Sequence, residues 1–175
     1  LEDYHNHEIP PPTHFRVNSF LHPFQEIVNT YGVPSYKGAN PAIFTIITFP
    51  FLFGVMFGDI GHGLVFLSFA IFLCLANSFL LKNVPGMEGL LSARYLFLLM
   101  GFFATFCGLM YNDFLSIPLF LSDSCYPLEE RFLEGSVNNS VEMIQKEDCV
   151  YPFGIDPAWY LSVNELTFMN SLKMK

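Results

Sequence analysis

The reading of the fold starts from PAIFTIITFPFLFGVMFGDIGHGLVFLSFAIFLCLANSFLL, residues 41–81. Asp59 is the only formally charged side chain between Lys37 and Lys82. A bilayer crossing takes ~20 predominantly apolar residues, and a soluble domain of this size rarely carries such a run. One straight helix of this stretch would be roughly 60 Å long at 1.5 Å per residue. That is about twice the ~30 Å hydrocarbon core, so the stretch must break. Gly58, Gly61 and Gly63 surround Asp59 and His62. They concentrate the helix penalty of glycine, ~1 kcal/mol each against alanine, in one place. The expectation is a helical hairpin of two spans, at about 42–57 and 64–81, turning at these helix-break glycines.

Working outward, the third span is expected at about 93–111, with no charge after Arg94 and with Tyr95 and Tyr111 as interfacial aromatics. Gly101, Ala104, Cys107 and Gly108 give it a small-residue face suited to close helix packing. Pro41 suits a first helical turn, whereas Pro50 should kink its helix, with Thr45 and Thr48 available to re-satisfy the freed carbonyl. Residues 18–31 read as a short amphipathic helix, with Phe20, Leu21, Phe24, Ile27, Val28 and Tyr31 as its apolar stripe. Asn18 or Ser19 is its N-cap, and it stops at Gly32. Such a helix packs either on a soluble domain or on a membrane surface. Residues 1–17, with Pro10, Pro11 and Pro12 in a row, read as an extended linker. The pair His5 and His7 is read as part of a solvated tail rather than as a metal site.

Composition points the same way. Only 14% of the 175 residues are charged and 52% are hydrophobic, against about 25% charged in ordinary domains. Net charge is −8, and ten of the sixteen acids lie between Asp113 and Glu165. No basic patch exists to neutralise phosphates, which excludes a nucleic-acid partner. There is no Walker A, HExxH or Gly-x-Ser-x-Gly pattern, so no catalytic residue, metal ligand or cofactor is expected.

The chain is expected to be an internal piece of a longer protein, since it opens on Leu1 and a new apolar stretch begins near its end. Its organisation would be a cytoplasmic region with the amphipathic helix (1–40), three transmembrane helices (41–111), an acidic luminal loop (112–165) and the start of a fourth span (166–175). Lys82 and Arg94 put the loop between the second and third spans in the cytoplasm by the positive-inside rule. The sequon at Asn138 and the pair Cys125 and Cys149 agree with a loop on the luminal side, where a disulfide is permitted. Phe114 opens an apolar run, 114–121, too short to cross and expected at the interface.

An acid inside a membrane is expensive. One reading makes Asp59 and His62 a titratable pair near a proton path, since histidines change charge near neutral pH. The other, which is favoured, has Asp59 cap the second helix and His62 fill the turn. Lys173 and Lys175 run against the charge rule, and one of them is expected to pair with Asp59 and dock the fourth span.

Several motifs together resemble one family. They are Pro-Pro-Thr-x-Phe-Arg-x-Asn (11–18), Phe-Gln-x-Ile-Val-x-x-Tyr-Gly-Val (24–33), Asn-Pro-Ala-x-Phe-Thr-Ile-Ile-Thr-Phe-Pro-Phe-Leu-Phe (40–53) and Val-Met-Phe-Gly-Asp-x-Gly-His-Gly (55–63). Gly-Leu-Met-Tyr-Asn-Asp (108–113), Pro-Phe-Gly-Ile-Asp-Pro-x-Trp (152–159) and Leu-Thr-Phe-Met-Asn-Ser-x-Lys-Met-Lys (166–175) continue the pattern. The chain resembles the subunit a family of vacuolar-type proton ATPases. The resemblance implies a non-catalytic stator subunit in the V0 sector of a rotary pump, beside the proteolipid c-ring and tied to the peripheral stalk. It implies H+ as the transported ion and a multi-pass location in the membrane of a vacuole, endosome, lysosome or similar organelle. The family's rotor-facing arginine lies on a later helix, and Arg16, Arg94 and Arg131 do not match it. The competing reading is a secondary transporter or channel whose hairpin is broken at the glycines. A third is a soluble helical bundle.

Overall fold

The computed structural model describes residues 13–32, 34–35, 38–126 and 145–161, and the chain is mostly helical. Helix α1 spans His22–Tyr31, α2 Ala42–Met56, α3 Ile60–Leu75, α4 Asn77–Asn83, α5 Glu88–Ser92 and α6 Arg94–Tyr111. A two-residue hairpin, β1 Asp113–Phe114 and β2 Ile117–Pro118, follows α6, and a 3₁₀ turn covers Pro157–Leu161. The expected fourth span, with Lys173 and Lys175, lies outside the described residues, as does the sequon at Asn138.

The organising element is α6, which receives both α2 and α3. Ala42 packs in one cluster with Leu96 and Met100, and Phe51 meets Phe103 ring to ring. Tyr111 donates its phenolic hydrogen to the Val55 carbonyl, so α2 and α6 run in the same direction. On the other side Gly108 lies against the Asp59–Ile60 backbone, Gly63 against Thr105 and Gly101 against Leu67. Helix α3 is therefore antiparallel to α6. Helices α2 and α3 touch each other through the rings of Phe53 and Phe66, 6.1 Å apart. The expected hairpin is thus opened by α6, which seats itself between the two arms.

Several expectations change. Gly61 and Gly63 do not break a helix: they are buried in the first turn of α3, which begins at Ile60 rather than near residue 64. The reversal occupies residues 57–59. A Cβ on Gly63 would sit 2.7 Å from the Thr105 nitrogen, and one on Gly58 would sit 2.6 Å from the Tyr111 ring. These glycines remove side chains where α6 passes. The actual break comes at Ala76, where α3 gives way to α4 at 73°. Asn77 and Ser78, which compete for backbone hydrogen bonds, follow it, and the bend buries Leu80 with Leu73 and Leu91.

By length and composition, α6 is the one helix among the described residues able to cross a membrane alone. Helices α3 and α4 reach that length only together, across their bend, and α2 has 15 residues, or roughly 22 Å. The helices at the places of the expected spans 42–57 and 64–81 are therefore shorter or bent, and α6 occupies the place of the expected third. Pro50 is buried inside α2, but Thr45 and Thr48 bond the carbonyls of Pro41 and Phe44, not that of Ile46 which proline frees.

Helix α1 starts at His22, after a turn over residues 19–21, with no side-chain cap, so neither Asn18 nor Ser19 serves as the expected one. Phe24 is fully buried against Ala42, Leu96 and Met100, with Leu21, Ile27 and Val28 beside it. Tyr31, placed on the same stripe by spacing, is exposed instead. A polar link fixes α1 to α2: the Asn40 amide donates to Gln25 Oε1 at 2.8 Å while its own oxygen accepts from the Ala42 N–H at 3.0 Å.

Candidate functional site

The Asp59 carboxylate sits where three elements meet. Its Oδ1 accepts the His62 backbone N–H at 2.9 Å, capping α3, and its Oδ2 lies 3.2 Å from His62 Nδ1. A carboxylate at this position also faces the positive end of the helix dipole. The Leu115 backbone donates a further hydrogen bond to it from the β1–β2 turn. The Asp59 side chain is 13% exposed and that of His62 75%. The cap expected of Asp59 is present, but His62 does not fill the turn: it stands out from it.

The turn that reaches Asp59 is unusual. Leu115 and Ser116 have φ of 52° and 65°, a backbone region that asparagine and glycine take far more readily than leucine. Gly61 makes it possible: a Cβ there would lie 2.5 Å from Leu115 Cδ2 and Cγ. The run expected at a membrane interface is thus, at 113–118, a hairpin folded onto the start of α3.

Asp59, His62, Asp113 and Ser116 line one cleft of about 480 Å³, walled by Phe53 and Phe66. Two carboxylates, an imidazole and a hydroxyl on an apolar wall can accept, hold and hand on a proton. They do not form a metal site, and no cluster of metal-ligating side chains occurs among the described residues. Neither Asp113 nor Ser116 belongs to a sequence motif that marks a site. The signal for them was Asn112-Asp113 at the end of an apolar helix, since asparagine is a common left-handed helix terminator.

Next to the cleft, the end of α6 is stitched to a distant segment. Asn112 is fully buried with φ 56°, and its amide donates to the carbonyls of Phe153 at 3.2 Å and Ile155 at 2.6 Å. In return the Ile155 N–H bonds the Met110 carbonyl at 3.0 Å, and the Tyr160 hydroxyl bonds that of Tyr111 at 2.9 Å. These are carbonyls that a helix end leaves without intrahelical partners. A disulfide joins Cys125 to Cys149, with Cα atoms 5.5 Å apart. The buried carboxylate of Asp156 accepts from Ser124 Oγ, from the Cys125 N–H and from the Ala158 N–H, tying the disulfide to the 3₁₀ turn.

The model of the V-type ATPase 116 kDa subunit family matches residues 2–175. The chain belongs to this family. It is 46% identical over 168 residues to V-type proton ATPase subunit a3 of Arabidopsis thaliana, covering 94% of this chain and 20% of that protein. It is 41% identical over 179 residues to the 116 kDa subunit a 1 of Mus musculus and 45% identical over 180 to the subunit a 4 of Homo sapiens, covering 94% of this chain and 21% of each relative. The chain thus spans about a fifth of the length of the curated relatives it matches.

Proposed function

We propose that this chain is part of the membrane-embedded a subunit of a rotary V-type ATPase, serving ATP-driven H+ transport as non-catalytic stator scaffold beside the proteolipid ring. The observation that carries the reading is α6: a helix of 18 residues, apolar enough to cross a bilayer, with only 33% of its span buried in the protein. A core helix of a soluble protein is mostly buried, whereas Phe44, Ile47, Leu52, Val65, Phe72 and Phe102 on the three packed helices face outward. Lipid and neighbouring membrane helices are the surroundings that such surfaces require.

The parallel course of α2 and α6 supports the topology. In this reading α1 and the 82–94 loop lie on one side, the cytoplasm, and Asp59, the β-hairpin and the disulfide on the other, the lumen of an acidic organelle. An oxidising lumen suits the Cys125–Cys149 bridge. The peripheral stalk would engage the cytoplasmic end, and the c-ring and other V0 subunits the membrane face. In this reading Asp59 and His62 form a proton-accessible pair at the luminal mouth and a structural cap at once. A transporter with a glycine-broken helix has less support, since Gly61 and Gly63 lie within a continuous helix.

The test uses intact organelles and the whole protein. A reporter between residues 145 and 150 should be labelled only after the membrane is opened, and the protein should co-purify with small proteolipids. Labelling from the cytosolic face of sealed organelles, or purification without proteolipids, would overturn the reading.

A further inference from the structure

At the opposite end from Asp59, a second cleft of about 260 Å³ is lined by Val17, Asn18, Ser19, His22, Ser92 and Arg94. It brings together the chain ahead of α1 and the start of α6, 70 residues apart, where Ser92 Oγ lies 3.1 Å from His22 Nδ1. The Arg94 guanidinium is held by its own neighbours: Nη1 donates to the Leu91 carbonyl at 2.7 Å, Nη2 to the Tyr95 hydroxyl at 3.3 Å, and the group stacks on the Tyr95 ring at 4.4 Å. Those bonds use two of the five N–H donors an arginine carries. Among the described residues no carboxylate pairs with it, the nearby Glu26 lying instead 3.9 Å from His22 Nε2.

We infer that this cleft binds the phosphate headgroup of an anionic membrane phospholipid. The inference rests on the proposed membrane span of α6. A preorganised guanidinium beside hydroxyls, with no internal counter-charge, matches the planar, bidentate recognition of phosphate oxygens. The cleft falls below the ~300–1,000 Å³ of sites that enclose drug-sized molecules, so it fits a headgroup and not a nucleotide. Its position selects a lipid over a free anion. Arg94 begins the one helix among the described residues long enough to cross alone, and Phe20 packs on Tyr95 at 5.4 Å to form an aromatic edge of the kind found at headgroup level. Basic pockets at the cytoplasmic ends of membrane helices are recurrent headgroup sites.

The test places the assembled full-length complex in phosphatidylcholine nanodiscs containing phosphatidic acid with a photoactivatable glycerol. Crosslinks, mapped by peptide mass spectrometry, are expected on residues 17–22 and 92–94. They should fall about tenfold in Arg94→Gln, about threefold in Ser92→Ala, and not at all in Lys82→Gln. Should Arg94→Gln fail to assemble, the Ser92→Ala result decides. Undiminished labelling in the variants, or its complete loss to excess inorganic phosphate, overturns the inference. Alkaline extraction separates the two proposals: a chain stripped from the membrane defeats the span, and one that is retained but unlabelled defeats only the lipid site.

Discussion

The side-chain amide of Asn112 donates to the Ile155 carbonyl at 2.6 Å across 43 residues of chain. Replacing Asn112 with Ala removes this bond and that to Phe153, and it leaves alanine in a left-handed backbone well with φ 56°. Burying an unpaired carbonyl costs ~1–3 kcal/mol, and the backbone term adds ~1–2 kcal/mol. Asn112→Ala should therefore release the 145–161 segment from α6, seen as faster cleavage there in limited proteolysis. Asn112→Gly, which relieves only the backbone, should fall between the two.

Of the two glycines on α6, Gly108 comes closer to another backbone, that of Asp59 and Ile60. Gly108→Ala should push α3 away from α6 and lose ~1–3 kcal/mol, the usual effect of overpacking. The expected readout is lower abundance of the assembled complex. Gly89→Ala is the control, because nothing lies within 4 Å of a Cβ there and abundance should hold.

The difference between these glycines also explains what the sequence revealed and what it hid. A long apolar run, its proline start and the Asp-x-x-His pattern ahead of α3 are local signals, and the helices and the Asp59 cap follow from them. The small face of α6 was equally legible, since Gly101, Ala104, Cys107 and Gly108 are buried. The purpose of Gly58, Gly61 and Gly63 was not. Their helix penalty is a property of the glycine itself, whereas the room they give to Tyr111, Leu115 and Thr105 depends on residues about 40–55 positions away. For the same reason the bend at Ala76 is invisible in the sequence: no proline or glycine marks it, and its gain is the burial of Leu80 on Leu91. The left-handed pair Leu115 and Ser116 carried no turn signature, because its stability comes from Asp59 and Gly61.

The disulfide closes a loop across a sequence separation of 24. Chain-entropy reasoning gives such a closure about 3.5 kcal/mol. Cys125→Ser should remove a reduction-dependent shift in gel mobility and loosen the Asp156 cluster, whose carboxylate bonds the Cys125 N–H at 2.9 Å. The proposed span of α6 should be unaffected, since the bonds from Asn112, Ile155 and Tyr160 do not pass through sulfur. Loss of the whole protein from the membrane in this variant would contradict that independence.

Two substitutions at Asp59 separate its cap from its charge. Asparagine is as good an N-cap as aspartate, so Asp59→Asn keeps the bond to the His62 N–H and removes the charge; Asp59→Ala removes both, and losing the cap costs ~1 kcal/mol. If capping is the whole role, Asp59→Asn should assemble and acidify as the unaltered protein does, while Asp59→Ala loses assembled complex. If the pair with His62 also handles protons, Asp59→Asn should assemble normally yet acidify more slowly. His62→Gln should then share that defect, since its imidazole contacts the carboxylate but its backbone N–H makes the cap. Because Asp59 and His62 line the same cleft, the expected outcome is the second: intact assembly with reduced proton transport per assembled complex in both variants. Dye-quench acidification normalised to complex abundance measures it, and unchanged rates in both would leave Asp59 as a cap alone.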